Sequence, residues 1–174
     1  MENKALLKKL KHIQLLLLDV DGVLTDGSII YDDDGRETKI FNAKDGFGIK
    51  LLMQAGIKVG IVTGRSSKAL CHRCDNLGIQ FLFDGVQDKA AILTRIVSQT
   101  GIDAEYAAFM GDDLPDLPLM KRTGMSIAVA DAHEMVCQTA DWTTQAQGGR
   151  GAVREVCEAL LKAKGLWDEV VDKY

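Results

Sequence analysis

Largely apolar runs alternate along this chain with stretches whose apolar residues recur at helical spacing. The runs cover residues 13–18, 59–62, 80–83, 107–110 and 126–129 and read as strands. Continuous apolar strands suit a parallel sheet covered on both faces. Helices are predicted between them, over residues 46–55, 67–77, 89–100, 115–123 and 132–139. A last helix, 151–164, carries Val153, Val156, Cys157, Leu160 and Leu161 on one face, and a short tail, 167–174, follows. Gly56, Gly78, Gly101 and Gly124 each fall just past a predicted helix, where a left-handed cap favours glycine. This alternation implies right-handed crossovers in an α/β fold, a three-layer Rossmann-like parallel sheet with helices on both faces.

One insertion breaks the alternation. Between residues 27 and 44, the β-prone runs Ser28-Ile29-Ile30-Tyr31 and Thr38-Lys39-Ile40-Phe41 flank Asp32-Asp33-Asp34-Gly35. The pattern predicts a β-hairpin with an Asp-Gly turn. The aspartates lack the spacing and terminal Glu of a calcium loop, so a solvated tip is the better reading. With 174 residues, 47% of them hydrophobic, and neither repeats nor a low-complexity linker, residues 1–174 are expected to form one domain.

Charge narrows the function. A net charge of -4 and a pI near 5.4 argue against nucleic acid, whose binders carry a basic face. No apolar run reaches the roughly 20 residues of a membrane span. Residues 1–12 mix Lys and Leu without the apolar core and cleavage site of a secretion signal, so a cytoplasmic location is expected. The four cysteines include Cys71 and Cys74 in a C-x-x-C, which suits a redox pair or half a zinc site. Cys137 and Cys157 stand apart from each other, and Cys71 and Cys74 fall inside a predicted helix. Reduced, partly buried thiols are the better reading.

Three polar motifs fall where predicted strands run out. Asp19-Val20-Asp21-Gly22 follows the first strand, Thr63-Gly64-Arg65 the second, and Gly111-Asp112-Asp113-Leu114-Pro115-Asp116 the fourth. Lys89 opens a predicted helix. In an open parallel sheet, ligands bind at those carboxyl ends. Each motif has an ordinary reading by itself: an Asp-Gly turn or helix cap, a strand-to-helix turn with Ser66 or Ser67 as N-cap, a surface lysine. Together they describe a phosphate-handling site. Two acidic motifs at two strand ends suit Mg²⁺, which takes one or two carboxylates, waters and phosphate oxygens. The Thr63 hydroxyl and nearby backbone N–H groups suit phosphate oxygens. Lys89 in a first helical turn opposes the macrodipole, and a neighbouring phosphate or carboxylate cluster would justify it.

In this order the motifs resemble the haloacid-dehalogenase-type phosphohydrolases, and the resemblance covers nearly the whole chain. Asp-Gly-Val-Leu-Thr-Asp-Gly, Lys44-Asp45-Gly46-x-Gly48-Ile49 and Gly148-Gly149-x-Gly151-Ala152-Val153-Arg154-Glu155 are similar to the 3-deoxy-D-manno-octulosonate 8-phosphate (KDO 8-phosphate) phosphatases of lipopolysaccharide synthesis. Sialic-acid-type 9-phosphate phosphatases share most of these features. The resemblance implies phosphoryl transfer through an aspartyl-phosphate. Asp19 would be the nucleophile and Asp21 the acid and base. Mg²⁺ would sit on the Asp19 carboxylate, the Asp21 backbone carbonyl and Asp112. Thr63 and Lys89 would hold the phosphate oxygens. Asp113 would orient Lys89 or a metal-bound water, with Asp116 also outside the first layer of contacts. Gly64, Arg65, Arg150 and Arg154 are candidates for binding substrate, the arginines through a sugar carboxylate.

Neither interval between motifs, 25–58 or 66–88, has room for a cap domain. An open site would leave the reacting phosphate wet. The hairpin also carries more apolar side chains than an isolated ribbon should expose. A homo-oligomer whose hairpins pack together meets both observations, and the resembling family implies a tetramer. Two rival functions are a phosphorylated receiver-like binding module, which has no use for a second carboxylate two residues after the first, and a phosphomutase, which needs a cap.

Overall fold

The computed structural model describes residues 4–174. At its centre β1 (Leu15–Leu18) is four consecutive leucines, all fully buried. The pleat sends alternate side chains to opposite faces. Leu16 and Leu18 enter one hydrophobic cluster and Leu15 and Leu17 another, which is why this strand is apolar at every position. On one side lie β4 (Lys58–Val62) and then β5 (Phe81–Phe83). On the other lie β6 (Ala107–Gly111), β7 (Met125–Ala128) and β8 (Trp142–Thr143). The six strands run parallel in the order β5-β4-β1-β6-β7-β8. The chain thus builds outward from β1 first one way and then the other. Connections diverge at β1, and a crevice opens at its carboxyl end.

Helices cover both faces. The first cluster packs α1 (Lys4–His12), α2 (Ala43–Gln54), α3 (Lys68–Leu77), α7 (Ala152–Ala163) and α8 (Trp167–Val171) on the sheet. The second packs α4 (Leu93–Thr100), α5 (Leu117–Met120) and α6 (Glu134–Thr139). No helix among the described residues is long and apolar enough to cross a membrane. A separate two-stranded ribbon, β2 (Ile30–Tyr31) with β3 (Glu37–Thr38), is the hairpin. Its ladder is two residue pairs long, and Ile29, Ile30, Tyr31 and Ile40 are exposed.

Two sequence motifs meet between α2 and α7. A Cβ on Gly48 would lie 3.3 Å from both Arg154 Cα and Cys157 Cβ, so glycine lets the two helices approach closely. Asp45, 1% exposed, accepts hydrogen bonds from Gly151 N (3.2 Å) and Arg154 N (2.7 Å) at the start of α7. A carboxylate there satisfies orphan N–H groups and complements the helix dipole. The loop before α7 then lies over the turn after β1, with Gly149 N donating to Val23 O at 2.9 Å.

Several boundaries differ from expectation for local reasons. The Asn42 side chain caps α2, starting it three residues before the predicted position. The Asp88 carboxylate accepts from Ala90 N (2.8 Å) and Ala91 N (3.2 Å), holding a turn ahead of α4. Lys89 therefore lies in that turn and does not open the helix. Residues 115–123 split into a 3₁₀ turn, Leu114–Asp116, and the short α5. Gly56, Gly78 and Gly101 take left-handed conformations at helix ends, but Gly124 does not. Its Cβ would lie 1.9 Å from Glu105 O, so Gly124 is there for close approach. The two-residue β8 went unpredicted. The four cysteines are free, with Cys71 exposed and Cys74 buried on α3.

Candidate active site

The carboxyl ends of β1, β4, β5 and β6 border a cleft of about 400 Å³ lined by Asp19, Asp21, Thr63, Gly64, Arg65, Lys89, Asp112, Asp113 and Asp116. Each motif arrives on its own strand end. Asp19 follows β1 and is held in the sheet by its N–H donating to Met110 O at 3.0 Å. Thr63 follows β4, with its N–H on Phe83 O at 2.9 Å. The turn after β1 passes so close to Asp112 that a Cβ on Gly22 would lie 2.1 Å from its Oδ2. That glycine, at φ +89°, is what lets the two acidic motifs meet.

Lys89 ties the cluster together. Its ammonium donates to Asp19 Oδ1 at 2.7 Å and Asp116 Oδ1 at 2.5 Å. Asp116 is itself pinned, its Oδ2 accepting from Asp112 N (2.8 Å) and Asp113 N (3.3 Å). Asp113 does not orient Lys89: its side chain accepts from Leu114 N at 2.8 Å and caps the 3₁₀ turn. Asp116 has the lysine-orienting position instead. The capping box, in which Asp116 also reaches back to its N-cap backbone, turns it inward.

Carboxylates outnumber cations here. Burial pushes the Asp19 carboxyl up to about 6 against the pull of Lys89. Burial, then the charges of Asp19, Asp116 and Asp113, push Asp112 up to about 8. Burial disfavours the Lys89 ammonium, but Asp19 and Asp116 outweigh it and hold its pKa above the usual value. Carboxylate oxygens of Asp19, Asp112 and Asp116 lie within 4.8 Å of one another. With Asp116 committed to Lys89 and two backbone N–H groups, Asp112 and the second oxygen of Asp19 remain as hard oxygen donors whose crowding a cation would relieve. That donor set fits a divalent metal ion.

Two of the candidate arginines lie elsewhere. Arg150 is exposed and pairs with Asp26 at 3.6 Å. Arg154 donates to Glu158 Oε1 at 2.6 Å and stacks near the Phe47 and Trp167 rings. Neither lines the cleft of this chain, because the start of α7 is docked on α2 by Asp45. Arg65 does line it, and contacts Tyr31 Oη at 2.7 Å and Glu37 Oε1 at 3.0 Å on the hairpin. Val86, Gln87 and Pro115 complete the lining. Their one signal in sequence was position beyond a strand end.

Comparison with known proteins agrees with this architecture. The haloacid dehalogenase-like hydrolase family model matches residues 82–155. A 3-deoxy-D-manno-octulosonate 8-phosphate phosphatase of Escherichia coli K12 is 47% identical over 161 residues, spanning 92% of this chain and 86% of the relative. A crystal structure of the Moraxella catarrhalis phosphatase of that name, in complex with magnesium ion, phosphate ion and KDO, superposes with a TM-score of 0.95. It is 42% identical and covers 98% of each chain. A cobalt-bound form from Haemophilus influenzae gives a TM-score of 0.89 at 42% identity, covering 91% of this chain and 93% of the other. With its strand-end acidic cluster and this likeness over nearly its whole length, the chain belongs to the 3-deoxy-D-manno-octulosonate 8-phosphate phosphatase family of haloacid dehalogenase-like hydrolases.

Proposed function

We propose that this protein hydrolyses KDO 8-phosphate to KDO and inorganic phosphate, as a Mg²⁺-dependent step of lipopolysaccharide biosynthesis in the cytoplasm. One observation carries the reading: Asp19, Asp112 and Thr63 from three strand ends and Lys89 from the turn before α4 meet in one cleft. Asp19 Oδ attacks phosphorus in line as the bond to the sugar oxygen breaks, giving an aspartyl-phosphate. Asp21 delivers a proton to the departing oxygen, then takes one from the water that hydrolyses the intermediate. Lys89 and Thr63 hold the equatorial phosphate oxygens, with Asp116 fixing the lysine. Asp19, Asp112 and the Asp21 backbone carbonyl would hold Mg²⁺, which supplies charge neutralisation between carboxylate and phosphate. Gly64 and Arg65, at the mouth, contact the substrate.

Phosphate release from KDO 8-phosphate, sialic-type 9-phosphates and hexose phosphates, each with Mg²⁺ and after chelation, tests the reading. KDO 8-phosphate is expected to give the highest kcat/KM, and Asp19→Asn to lose on the order of 10⁴-fold or more with the fold retained. A better sialic-type 9-phosphate would move the substrate assignment; full activity after chelation would remove the metal.

A tetramer is the proposed assembly, with hairpins of neighbouring subunits packed together at the open mouths. What supports it is the exposed apolar edge of the hairpin and a cleft with no cap over it.

A further inference from the structure

One buried cation lies outside the cleft and has no part in the chemistry above. Lys39 follows β3 on a largely exposed hairpin, yet its side chain is only 1% exposed. Long amphipathic side chains on such a ribbon ordinarily keep the ammonium in water. This one is turned inward, donating to Asp21 Oδ1 and pairing with Glu37 Oε1 at 3.2 Å. Lys39 does not line the cleft, whereas Asp21 does.

The two oxygens of Asp21 are treated differently. Oδ1 is taken by Lys39. Oδ2 faces Arg65 Nε at 3.7 Å, beyond hydrogen-bond reach. Glu37 bridges the two cations, accepting from Arg65 Nη2 at 3.0 Å while pairing with Lys39. Tyr31 Oη adds a second tether on Arg65 at 2.7 Å. A carboxylate hydrogen-bonded through one oxygen to a fixed, desolvated ammonium loses its side-chain rotation and presents the other oxygen in one direction.

We propose that Lys39 is the positioning residue for Asp21. It clamps Oδ1 so that Oδ2 is the atom that exchanges the proton with the leaving sugar oxygen and then with water. Through Glu37 and Lys39 the same contact ties the hairpin, and whatever covers it, to the acid–base step. The inference rests on the assignment of Asp21 as acid and base made above. The proton count is unchanged by Lys39, which holds its own protons throughout. As the phosphorus–sugar oxygen bond breaks, the proton on Asp21 Oδ2 moves to that oxygen; in the second step the proton of water returns to Oδ2.

Leaving-group dependence separates positioning from general damage. A sugar alkoxide needs a proton to depart, and 2,4-dinitrophenolate does not. For Lys39→Met, kcat/KM on KDO 8-phosphate is expected to fall about 100-fold, the scale of a misplaced catalytic group. On 2,4-dinitrophenyl phosphate the expected loss is within about fivefold, because the first irreversible step there does without general acid catalysis. Lys39→Arg, which keeps a donor and the charge, should recover part of the loss on the sugar phosphate alone. Equal losses on both substrates would overturn the proposal, as would no loss on either. If Lys39→Met does not fold, Glu37→Gln decides by the same criterion. It keeps the shape of Glu37 but loosens its hold on Lys39, and a smaller loss confined to the sugar phosphate is expected. Asp21→Asn serves as the control. If it too shows no leaving-group selectivity, the assignment of Asp21 has failed; if it is selective and the Lys39 and Glu37 variants are not, the role of Lys39 has failed.

Discussion

Asp112 shows how crowding of like charges shapes a single residue. Burial and three neighbouring aspartates hold its carboxyl up to about 8, far above the usual carboxylate range. Without a cation, therefore, Asp112 is largely protonated at pH 7. Binding a divalent metal displaces that proton, so protons and metal compete. Apparent Mg²⁺ affinity should rise with pH and level off above about 8, falling by up to about tenfold per unit below it. Calorimetric titration at pH 6, 7 and 8 measures this, and a flat profile would show that Asp112 carries no proton for the metal to displace. Lys89 escapes the usual fate of a buried lysine, because Asp19 and Asp116 oppose its desolvation. Its place in the cleft was legible from the run of motifs, but its partner was not. Asp113 and Asp116 are both aspartates of one short motif, and the capping box with the Asp112 N–H turns Asp116 toward Lys89.

At the scale of elements, the clearest case is the junction of α2 with α7. Asp45 is buried and serves two N–H groups at the start of α7. Asp45→Ala leaves both donors without that partner in a closed interface, at a cost of roughly 2–4 kcal/mol. A lower urea midpoint with an unchanged m-value is the expected result, and a midpoint equal to wild type would show that water replaces the carboxylate. The loop from Gly148 to Gly151 sits on the turn after β1, so loosening this junction should also slow turnover. A Cβ on Gly148 would lie 1.7 Å from Gly22 O, which shows how closely the two segments are stacked.

At the scale of the molecule, reversal of strand order about β1 puts the chemistry at one end of the sheet, and the hairpin stands beside it. Ile40 is 68% exposed and Tyr31 57% on that hairpin. An isolated ribbon with a two-pair ladder is marginal by itself, and a neighbouring subunit of the proposed tetramer would stabilise it. The double change Ile29→Glu with Ile40→Glu should dissociate the assembly and lower activity several-fold while every cleft residue remains. Multi-angle light scattering with a parallel rate measurement reports both. A monomeric wild type, fully active on a small sugar phosphate, would eliminate the shared mouth.

Strand identity came from the sequence by itself. A core strand covered on both faces must be apolar at every position, and Leu15 to Leu18 announce that without any contact being known. Polar motifs at the ends of such strands marked the cleft in the same way, since a charged residue next to a buried strand needs a functional or capping reason. Three features were decided only by tertiary structure. The edge strand β8 is two residues long, too short to carry periodicity, and forms because β7 offers it a partner. Arg150 and Arg154 were drawn away from the cleft by the docking of α7, a contact more than 100 residues apart in the chain. Lys39 was just one more polar residue of a hairpin until folding put it on Asp21. Periodicity and strand ends are local properties that a sequence displays directly. Which oxygen of which aspartate meets which ammonium depends on distances between segments, and these exist only once the chain has packed.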